Sequence, residues 1–194
     1  MRYLIVFAHP RGDSFSAALR HVVVDTLARA GHQIDLIDLN DSRFDPALSS
    51  DARGAYFEIG HNLAGVEEQV ARLKRAEALV LIFPNWWFGF PAVLKGWFDR
   101  VWLPGVAFEV KRFRLDGKLH NIVKFVTVTT YGSAWWQVRL VMRDPTRRIV
   151  ERGLAALCHP ACRTAYLALH HMDRAGEKRR RRFMDRVRRR IAEI

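Results

Sequence analysis

Short runs of apolar residues recur along this chain, and segments with helical periodicity separate one run from the next. These runs predict five β-strands, at residues 3–8, 33–39, 79–83, 122–128 and 165–169. Strands that alternate with helices form a parallel sheet, because each helix returns the chain to the same edge. We therefore expect an α/β fold, a doubly wound five-stranded parallel sheet in the order 2-1-3-4-5, with helices on both faces.

The predicted helices begin and end at residues with known capping preferences. Gly31 ends the helix expected at residues 17–30, and Asn62 is expected to cap a helix that runs to residue 76. Further helices are expected at residues 92–102 after Pro91, from the Asp144-Pro145 pair to about Cys158, and along the basic carboxyl-terminal segment. The long loop before the fourth strand is suspected of a function because of its length.

The length and composition favour one globular domain over residues 1–194. Of the 194 residues, 49% are hydrophobic, which is typical of folded rather than disordered chains. The longest apolar run, at residues 78–84, is too short to cross a bilayer, and the first residues do not resemble a signal peptide. Two cysteines fit a reducing compartment, so we expect a cytoplasmic protein.

The positive charge is concentrated in the carboxyl-terminal segment. The formal net charge is +12, and residues 174–194 hold ten basic and three acidic residues. In this segment Phe183, Val187 and Ile191 recur every four residues, which predicts a helix that docks one apolar stripe and leaves its basic face in solvent. A weak contact of this face with an anionic surface or a membrane protein stays open. No nucleic-acid-binding motif is present, so we expect no nucleic-acid partner.

Three loops follow the strands that should meet at the centre of the sheet. Their sequences are HPRGDSFS at 9–16, PNWWFGFP at 84–91 and TTYGS at 129–133. In sheets of this type ligands bind beyond the carboxyl ends of the strands, where the strand order reverses. All six tryptophans lie between residues 86 and 136, which favours a planar aromatic ligand over ordinary core packing.

The first loop has the character of an anion site. Ser14 and Ser16 bring hydroxyl groups, and amides at the start of the following helix attract a phosphate, although either serine can simply cap the helix. His9 either binds the phosphate or satisfies its own loop. The loop lacks both the dinucleotide glycine fingerprint and the lysine of ATPases. A flavin remains, with Trp87 and Phe88 offering a face to its ring.

Three segments carry a resemblance to a known family. AHPRGDSFS, FPNWWFGFPAVLKGWFDRV and TTYGS resemble the flavin-dependent NAD(P)H:quinone oxidoreductases, the quinone reductases or DT-diaphorases and their bacterial relatives. The resemblance implies a flavodoxin-like fold and a bound flavin, either FMN or FAD. It also implies NAD(P)H as co-substrate, a quinone-type acceptor and a homodimer.

The resemblance also implies a set of cofactor-binding residues. The phosphate would contact His9, Ser14, Phe15 and Ser16; the ring would lie against Pro84, Asn85, Trp86, Trp87 and Phe88; and its polar edge would meet Thr129, Thr130, Tyr131 and Gly132. Tyr131 stands where the better-known members have a glycine, and Gln137 stands near the place of a tyrosine to which they assign a catalytic role. Tyr131 is therefore our candidate catalytic residue.

Other functions and sites stay open at the level of sequence. A flavodoxin-like electron carrier and a flavin-binding regulatory subunit of a transporter are the alternatives to an enzyme. The Cys158-His159-x-x-Cys162 segment has too few ligands for a closed zinc site, so we expect no metal.

Overall fold

The central sheet is parallel, and its strand order agrees with the sequence-based expectation. The computed structural model describes residues 1–41, 44–112 and 114–194. Strands in these ranges are β1 (Arg2–Phe7), β2 (Gln33–Asp38), β3 (Ala78–Asn85), β4 (Phe108–Val110), β5 (Leu115–Gly117), β6 (Lys124–Tyr131) and β7 (Arg163–Leu169). The parallel sheet has the order β2-β1-β3-β6-β7, which confirms the predicted order 2-1-3-4-5.

Helices cover both faces of the sheet. They are α1 (Phe15–Arg29), α2 (Ser50–Gly54), α3 (Glu67–Arg75), α4 (Ala92–Val101), α5 (Pro145–Arg148) and α6 (Glu177–Glu193). Successive residues of a strand point to opposite faces, so β1 contributes to two cores. Leu4 and Val6 pack with α3 and α4, whereas Ile5 packs with α1 and α6. Every residue of β3 is buried, as expected of a central strand covered on both sides.

The carboxyl-terminal helix docks by its apolar stripe. Phe183, Val187 and Ile191 are the buried residues of α6, which confirms the predicted amphipathic packing. Helix α4 begins directly after Pro91, also as predicted. It packs very closely on the loop after β2, because a Cβ on Gly96 would lie 2.2 Å from the carbonyl oxygen of Pro46.

Asn62 does not cap the third helix, so this prediction was wrong. Helix α3 begins only at Glu67, after Gly65 adopts a left-handed conformation with φ of +75°. The Asn62 side chain instead donates hydrogen bonds of 3.1 and 3.0 Å to the carbonyl oxygens of Tyr56 and Pro104. Its Nδ2 group therefore ties two loops together, and its Oδ1 atom, which would act as a cap, accepts from the Gly60 amide at 3.2 Å instead.

Two further segments differ from the sequence-based expectation. The helix expected from Asp144-Pro145 to Cys158 is only one turn of α-helix, followed by a π-helix at Ile149–Leu154 and a 3₁₀ turn at Ala155–Leu157. A second π-helix, Gln137–Val141, precedes it. The long loop before β6 contains the antiparallel pair β4–β5. None of the described helices is long and apolar enough to cross a bilayer.

Candidate functional site

A cavity of about 890 Å³ lies at the carboxyl edge of the sheet, beyond the ends of β1, β3 and β6. The three loops singled out in the sequence all contribute to it. Its lining residues are His9, Ser14, Phe15, Ser16, Pro84, Asn85, Trp86, Trp87, Phe88, Thr130, Tyr131, Gly132, Ser133, Met172 and Asp173. The fold thus brings together all of the predicted site residues except Thr129, which is fully buried within β6 and does not line the cavity.

The start of α1 forms one end of the cavity. The Ser14 hydroxyl accepts a hydrogen bond of 3.1 Å from the Ala17 amide, so the capping role left open by the sequence is present. The first amides of a helix have no intrahelical acceptor, and the helix dipole places partial positive charge there. The first turn of α1 carries no acidic residue that would neutralise this charge. This end of the cavity is therefore suited to an anion.

His9 has one ring nitrogen committed to its own loop. Its Nδ1 atom accepts a hydrogen bond of 3.0 Å from the Arg11 amide, so in the neutral imidazole the proton is carried by Nε2. Burial lowers the pKa of His9 below its ordinary value of 6.5, which favours this neutral form. The ring lies 6.0 Å from that of Trp86, centroid to centroid. His9 thus satisfies its loop and keeps one donor for a ligand.

The aromatic wall of the cavity is a strained two-residue turn. The Gly89 amide donates to the Trp86 carbonyl at 2.9 Å, and the Trp86 amide donates to the Gly89 carbonyl at 3.2 Å. Trp87 and Phe88, between them, both have left-handed backbone, with φ of 51° and 57°. Hairpin turns of this type normally use Asn-Gly, because large side chains are strained at positive φ. The Trp87 side chain is 98% exposed.

A buried hydroxyl holds this turn from behind. Thr146 on α5 is fully buried, and its Oγ1 atom donates to the Phe88 carbonyl at 2.9 Å. The same atom accepts a hydrogen bond of 2.9 Å from the Asn85 side chain at the end of β3. The turn is therefore connected both to its own strand and to the segment after β6.

Tyr131 lines the cavity, but its hydroxyl is occupied elsewhere. The residue is only 2% exposed, and its hydroxyl donates to Asp144 Oδ1 at 2.9 Å and lies 2.6 Å from the Tyr166 hydroxyl. Burial raises the pKa of Tyr131 well above its ordinary value. The His170 ring stacks on Tyr131 at 5.0 Å. This environment fits a structural hydroxyl better than the catalytic one we predicted.

Three lining residues were missed in the sequence. They are Ser133, directly after the predicted TTYG residues, and Met172 and Asp173 after β7. The His171 amide donates to the Ser133 carbonyl at 2.9 Å and so brings the two loops together. Since β7 neighbours β6, its carboxyl end could have been expected at this cavity. Gly132 leaves room beside Asp173, because a Cβ there would come within 2.7 Å of the carboxylate.

An exposed apolar patch lies on the segment that follows the third cavity loop. Its members are large hydrophobic residues, each more than 40% exposed: Trp135, Trp136, Leu140, Val141, Met142 and Ile149. Contiguous exposed apolar surface of this kind marks an interaction site more often than ordinary surface. We refer to these six residues below as the apolar patch.

The site therefore offers an anion end and a flat aromatic wall joined by one cavity. Among the described residues, no three potential ligands from His, Cys, Asp and Glu lie close enough to hold a metal ion. Cys158 and Cys162 are both free thiols in the described structure.

Comparison with known proteins gives consistent relatives. A family model described as the flavodoxin-like fold matches residues 1–186. The chain is 34% identical over 149 residues to the ribosyldihydronicotinamide dehydrogenase [quinone] of Pongo abelii, which covers 69% of this chain and 64% of the relative. It is 32% identical over 148 residues to the NAD(P)H dehydrogenase [quinone] 1 of Cavia porcellus, covering 68% of this chain and 54% of the relative.

Similarity to a solved structure extends over nearly the whole chain. The NAD(P)H:quinone oxidoreductase from Methanothermobacter marburgensis superposes with a TM-score of 0.87 at 28% identity, covering 99% of this chain and 98% of the other. The match to the curated relatives is shorter, since the chain spans 64% and 54% of the lengths of the two quinone dehydrogenases named above.

Proposed function

The chain belongs to the family with the flavodoxin-like fold, and from this premise we propose that it is a flavin-dependent NAD(P)H dehydrogenase that reduces quinones or similar flat electrophiles. The observation that carries the proposal is Trp87, a nearly fully exposed ring on a left-handed turn at the rim of the central cavity. Such an arrangement is unfavourable in water, and stacking of a flat ligand on the ring offsets this free-energy cost. The names of the two curated relatives and of the archaeal structure support the same activity.

We propose that the flavin lies in this cavity, with the phosphate and the ring held by different loops. The start of α1, with Ser14, Phe15 and Ser16, would hold the phosphate through amides and hydroxyls, and His9 would donate from Nε2. The predicted ring contacts are Pro84, Asn85, Trp86, Trp87 and Phe88, and the predicted polar-edge contacts are Thr129, Thr130, Tyr131 and Gly132. Thr129 is the exception, because the whole residue is buried and it does not line the cavity.

The flavin, when bound, supplies the ring that accepts and passes on a hydride. Overall, NAD(P)H and a proton convert a quinone to its hydroquinone and leave NAD(P)⁺. The protein's part is positioning: Trp87 and Phe88 stack the flat reactants, and the α1 end fixes the phosphate so that the ring cannot slide. Tyr131 would contribute its main chain, since its hydroxyl is bound to Asp144 and Tyr166.

The first experiment is to identify the cofactor and assay turnover. Purified protein should be yellow, release FMN or FAD on denaturation, and oxidise NADH or NADPH when a benzoquinone is added. A preparation that stays colourless with excess FMN and FAD would refute the proposal. If turnover needs an added protein reductase, the electron-carrier alternative gains. If flavin binds and no acceptor is reduced, the regulatory-subunit alternative gains.

We propose further that the protein is a homodimer whose second copy covers the apolar patch. Val141 in the patch is 64% exposed, and Val110 on the distant hairpin is 61% exposed, which makes them a matched pair. Val141→Asp should convert the dimer to a monomer in light-scattering chromatography, because a charge is costly inside an apolar interface. Val110→Asp should leave the mass unchanged. A monomeric wild type would refute this proposal.

We also propose a cytoplasmic, single-domain protein whose basic helix α6 makes a weak contact with an anionic partner. A cleft between β7 and α6 is lined by Arg147, Arg186, Arg189 and Arg190 together with Glu151 and Glu193. Arg186 and Arg189 have no carboxylate partner among the described residues, whereas Arg181 and Arg188 pair with Glu177 and Asp185.

The two arginine pairs give a test at equal net charge. The double change Arg186→Gln and Arg189→Gln should reduce sedimentation with phosphatidylserine vesicles much more than Arg181→Gln with Arg188→Gln. Equal losses would mean that only the overall charge of the helix matters. No sedimentation of the wild type would leave α6 as a solvated helix.

A further inference from the structure

The turn that presents Trp87 is held in an unfavourable backbone conformation. Trp87 and Phe88 are consecutive left-handed residues, and neither is glycine or asparagine, so contacts with the surrounding structure must stabilise this conformation. The turn has its own closing pair of hydrogen bonds between Trp86 and Gly89. Those bonds fix the ends of the turn, whereas the carbonyl of Phe88 at its apex points away from them and needs a separate partner.

That partner is Thr146, which belongs to a different part of the chain. Its hydroxyl donates to the Phe88 carbonyl and accepts from the Asn85 side chain, both at 2.9 Å. Thr146 is completely buried and is not among the residues that line the cavity. It therefore cannot touch a ligand there, and any effect on binding must pass through the turn.

A second buried group lies just before Thr146 in the chain. Asp144, two residues earlier, is left-handed with φ of 46° and buried. Its carboxylate accepts from the Tyr131 hydroxyl at 2.9 Å and from Arg139 at 3.3 Å. The Tyr131 hydroxyl also contacts that of Tyr166 on the edge strand β7. A continuous set of hydrogen bonds thus joins the end of β6 and the middle of β7 to the residue that precedes α5.

We propose that Thr146 is a positioning residue that keeps the Trp87 and Phe88 turn in its ligand-binding conformation. Asp144 and Tyr131 support it by fixing the start of α5. The expected effect on ligand binding rests on the proposed flavin function, because the flavin ring is the ligand that the turn would orient. It also gives Tyr131 a role that its buried hydroxyl can fulfil, in place of acid catalysis.

The test removes the Thr146 hydroxyl without changing the shape of the side chain. Thr146→Val should speed hydrogen exchange of the Gly89 amide in flavin-free protein, because the turn loses its outer anchor. It should also weaken FMN and riboflavin binding by a similar factor, about tenfold, the size expected for one lost buried hydrogen bond. An equal loss of affinity for FMN and riboflavin indicates that the contact with the flavin ring is affected, since riboflavin has no phosphate. Thr146→Ser should restore both properties.

Thr127 provides the matched control. It is equally buried in β6, and its hydroxyl has no hydrogen-bond partner in the described structure. Thr127→Val should leave Gly89 exchange and flavin affinity at wild-type values. Equal effects of the two valine substitutions would overturn the proposal, as would wild-type exchange and affinity in Thr146→Val.

Two further outcomes are distinguishable. If the wild type binds no flavin, the proposed function fails, and Gly89 exchange alone decides whether Thr146 holds the turn. If Thr146→Val does not fold, the change is made in a Phe88→Gly background, where glycine needs no anchor at positive φ. There, Thr146→Val should have little effect on Gly89 exchange. A clear acceleration of Gly89 exchange by Thr146→Val in this background, relative to Phe88→Gly alone, would overturn the proposal.

Discussion

At the scale of single residues, Trp87 combines a left-handed backbone with a side chain that is almost entirely in solvent. Each feature alone is uncommon for tryptophan. Together they indicate that this position favours ligand binding at a cost in the stability of the folded protein. The resemblance to quinone reductases located this residue, but its backbone strain was not foreseeable. A Trp-Phe pair carries no turn preference of its own, so the conformation is imposed by Thr146 and the surrounding strands.

Glycine at position 87 should therefore separate stability from binding. We expect Trp87→Gly to raise the free energy of unfolding of the flavin-free protein by about 1 kcal/mol, because glycine adopts positive φ without strain. We expect it to weaken FMN binding roughly three- to tenfold, since one stacked aromatic face is lost. Urea unfolding and fluorescence titration measure the two effects. Trp135→Ala is the control for flavin retention, and an equal loss in both variants would contradict the pocket assignment.

His170 should make the stability of the flavin-free protein depend on pH. Burial lowers its pKa below the ordinary value of 6.5, so the unfolded state binds the proton first. Stability is therefore complete above pH 6.5 and is lost as the pH falls through the unfolded and then the folded pKa. We expect His170→Phe, which keeps the stack on Tyr131, to lose less stability than the wild type between pH 7.5 and pH 5. Urea unfolding at both pH values checks this, and parallel curves would exclude the effect.

Tyr131 shows where inference from residue type ends. The sequence placed a tyrosine beside the ring site, and the structure does place it in the cavity wall. The partners of its hydroxyl are Asp144 and Tyr166, which lie 13 and 35 residues away along the chain. Nothing in the TTYGS motif indicates those partners, so the direction of the hydroxyl was not predictable.

At the scale of elements, the start of α1 forms one end of the cavity and is our proposed phosphate site. Its position followed from the sequence, because a polar loop between a buried strand and an amphipathic helix has few alternatives. The same holds for β1, β3 and α6, whose apolar patterns are strong. The segment from Gln137 to Leu157 was not predictable in the same way. Left-handed Arg143 and Asp144 interrupt it, and π-helical turns have no sequence pattern of their own.

Ser14 and Ser49 allow the phosphate role of α1 to be separated from simple capping. Each hydroxyl accepts from an amide three residues later at 3.1 Å. Ser14→Ala should cost about 1 kcal/mol of stability as a lost cap. It should also weaken FMN binding by a larger factor than riboflavin binding, because only FMN has the phosphate. Ser49→Ala should leave both affinities unchanged. Equal weakening of FMN and riboflavin by Ser14→Ala would contradict a phosphate contact.

At the scale of the whole molecule, the strand order places the three site loops at one edge of the sheet. The strand order was predicted from the five strands that alternate with helices, and the observed order β2-β1-β3-β6-β7 confirmed it. Close packing between distant segments was only partly foreseeable. The contact of Gly96 with Pro46 depends on the loop after β2, whose sequence has no regular pattern. Two residues of that loop, Ser42 and Arg43, lie outside the described part of the chain.

A methyl group at position 96 should be poorly tolerated. Gly96→Ala places a Cβ 2.2 Å from the Pro46 carbonyl oxygen and 2.6 Å from its Cα, so backbone must move. We expect a loss of about 1–3 kcal/mol in the free energy of unfolding, the usual range for overpacking. Gly153→Ala, with no atom within 4 Å of the added Cβ, should be neutral or stabilising. Thermal or urea unfolding of both variants tests this, and similar stabilities would argue against the close helix contact.

The strand order also bears on how the chain is made. Counting along the polypeptide, β2, β1 and β3 all precede residue 86, and β6 and β7 are then added one after the other on the same side. During synthesis the three strands β1, β2 and β3 are therefore complete before β6 and β7, which extend the sheet from β3. Until residue 131 has emerged from the ribosome, the edge of β3 that pairs with β6 has no partner strand. A nascent chain stalled at this stage would expose an apolar edge strand that can pair with other chains.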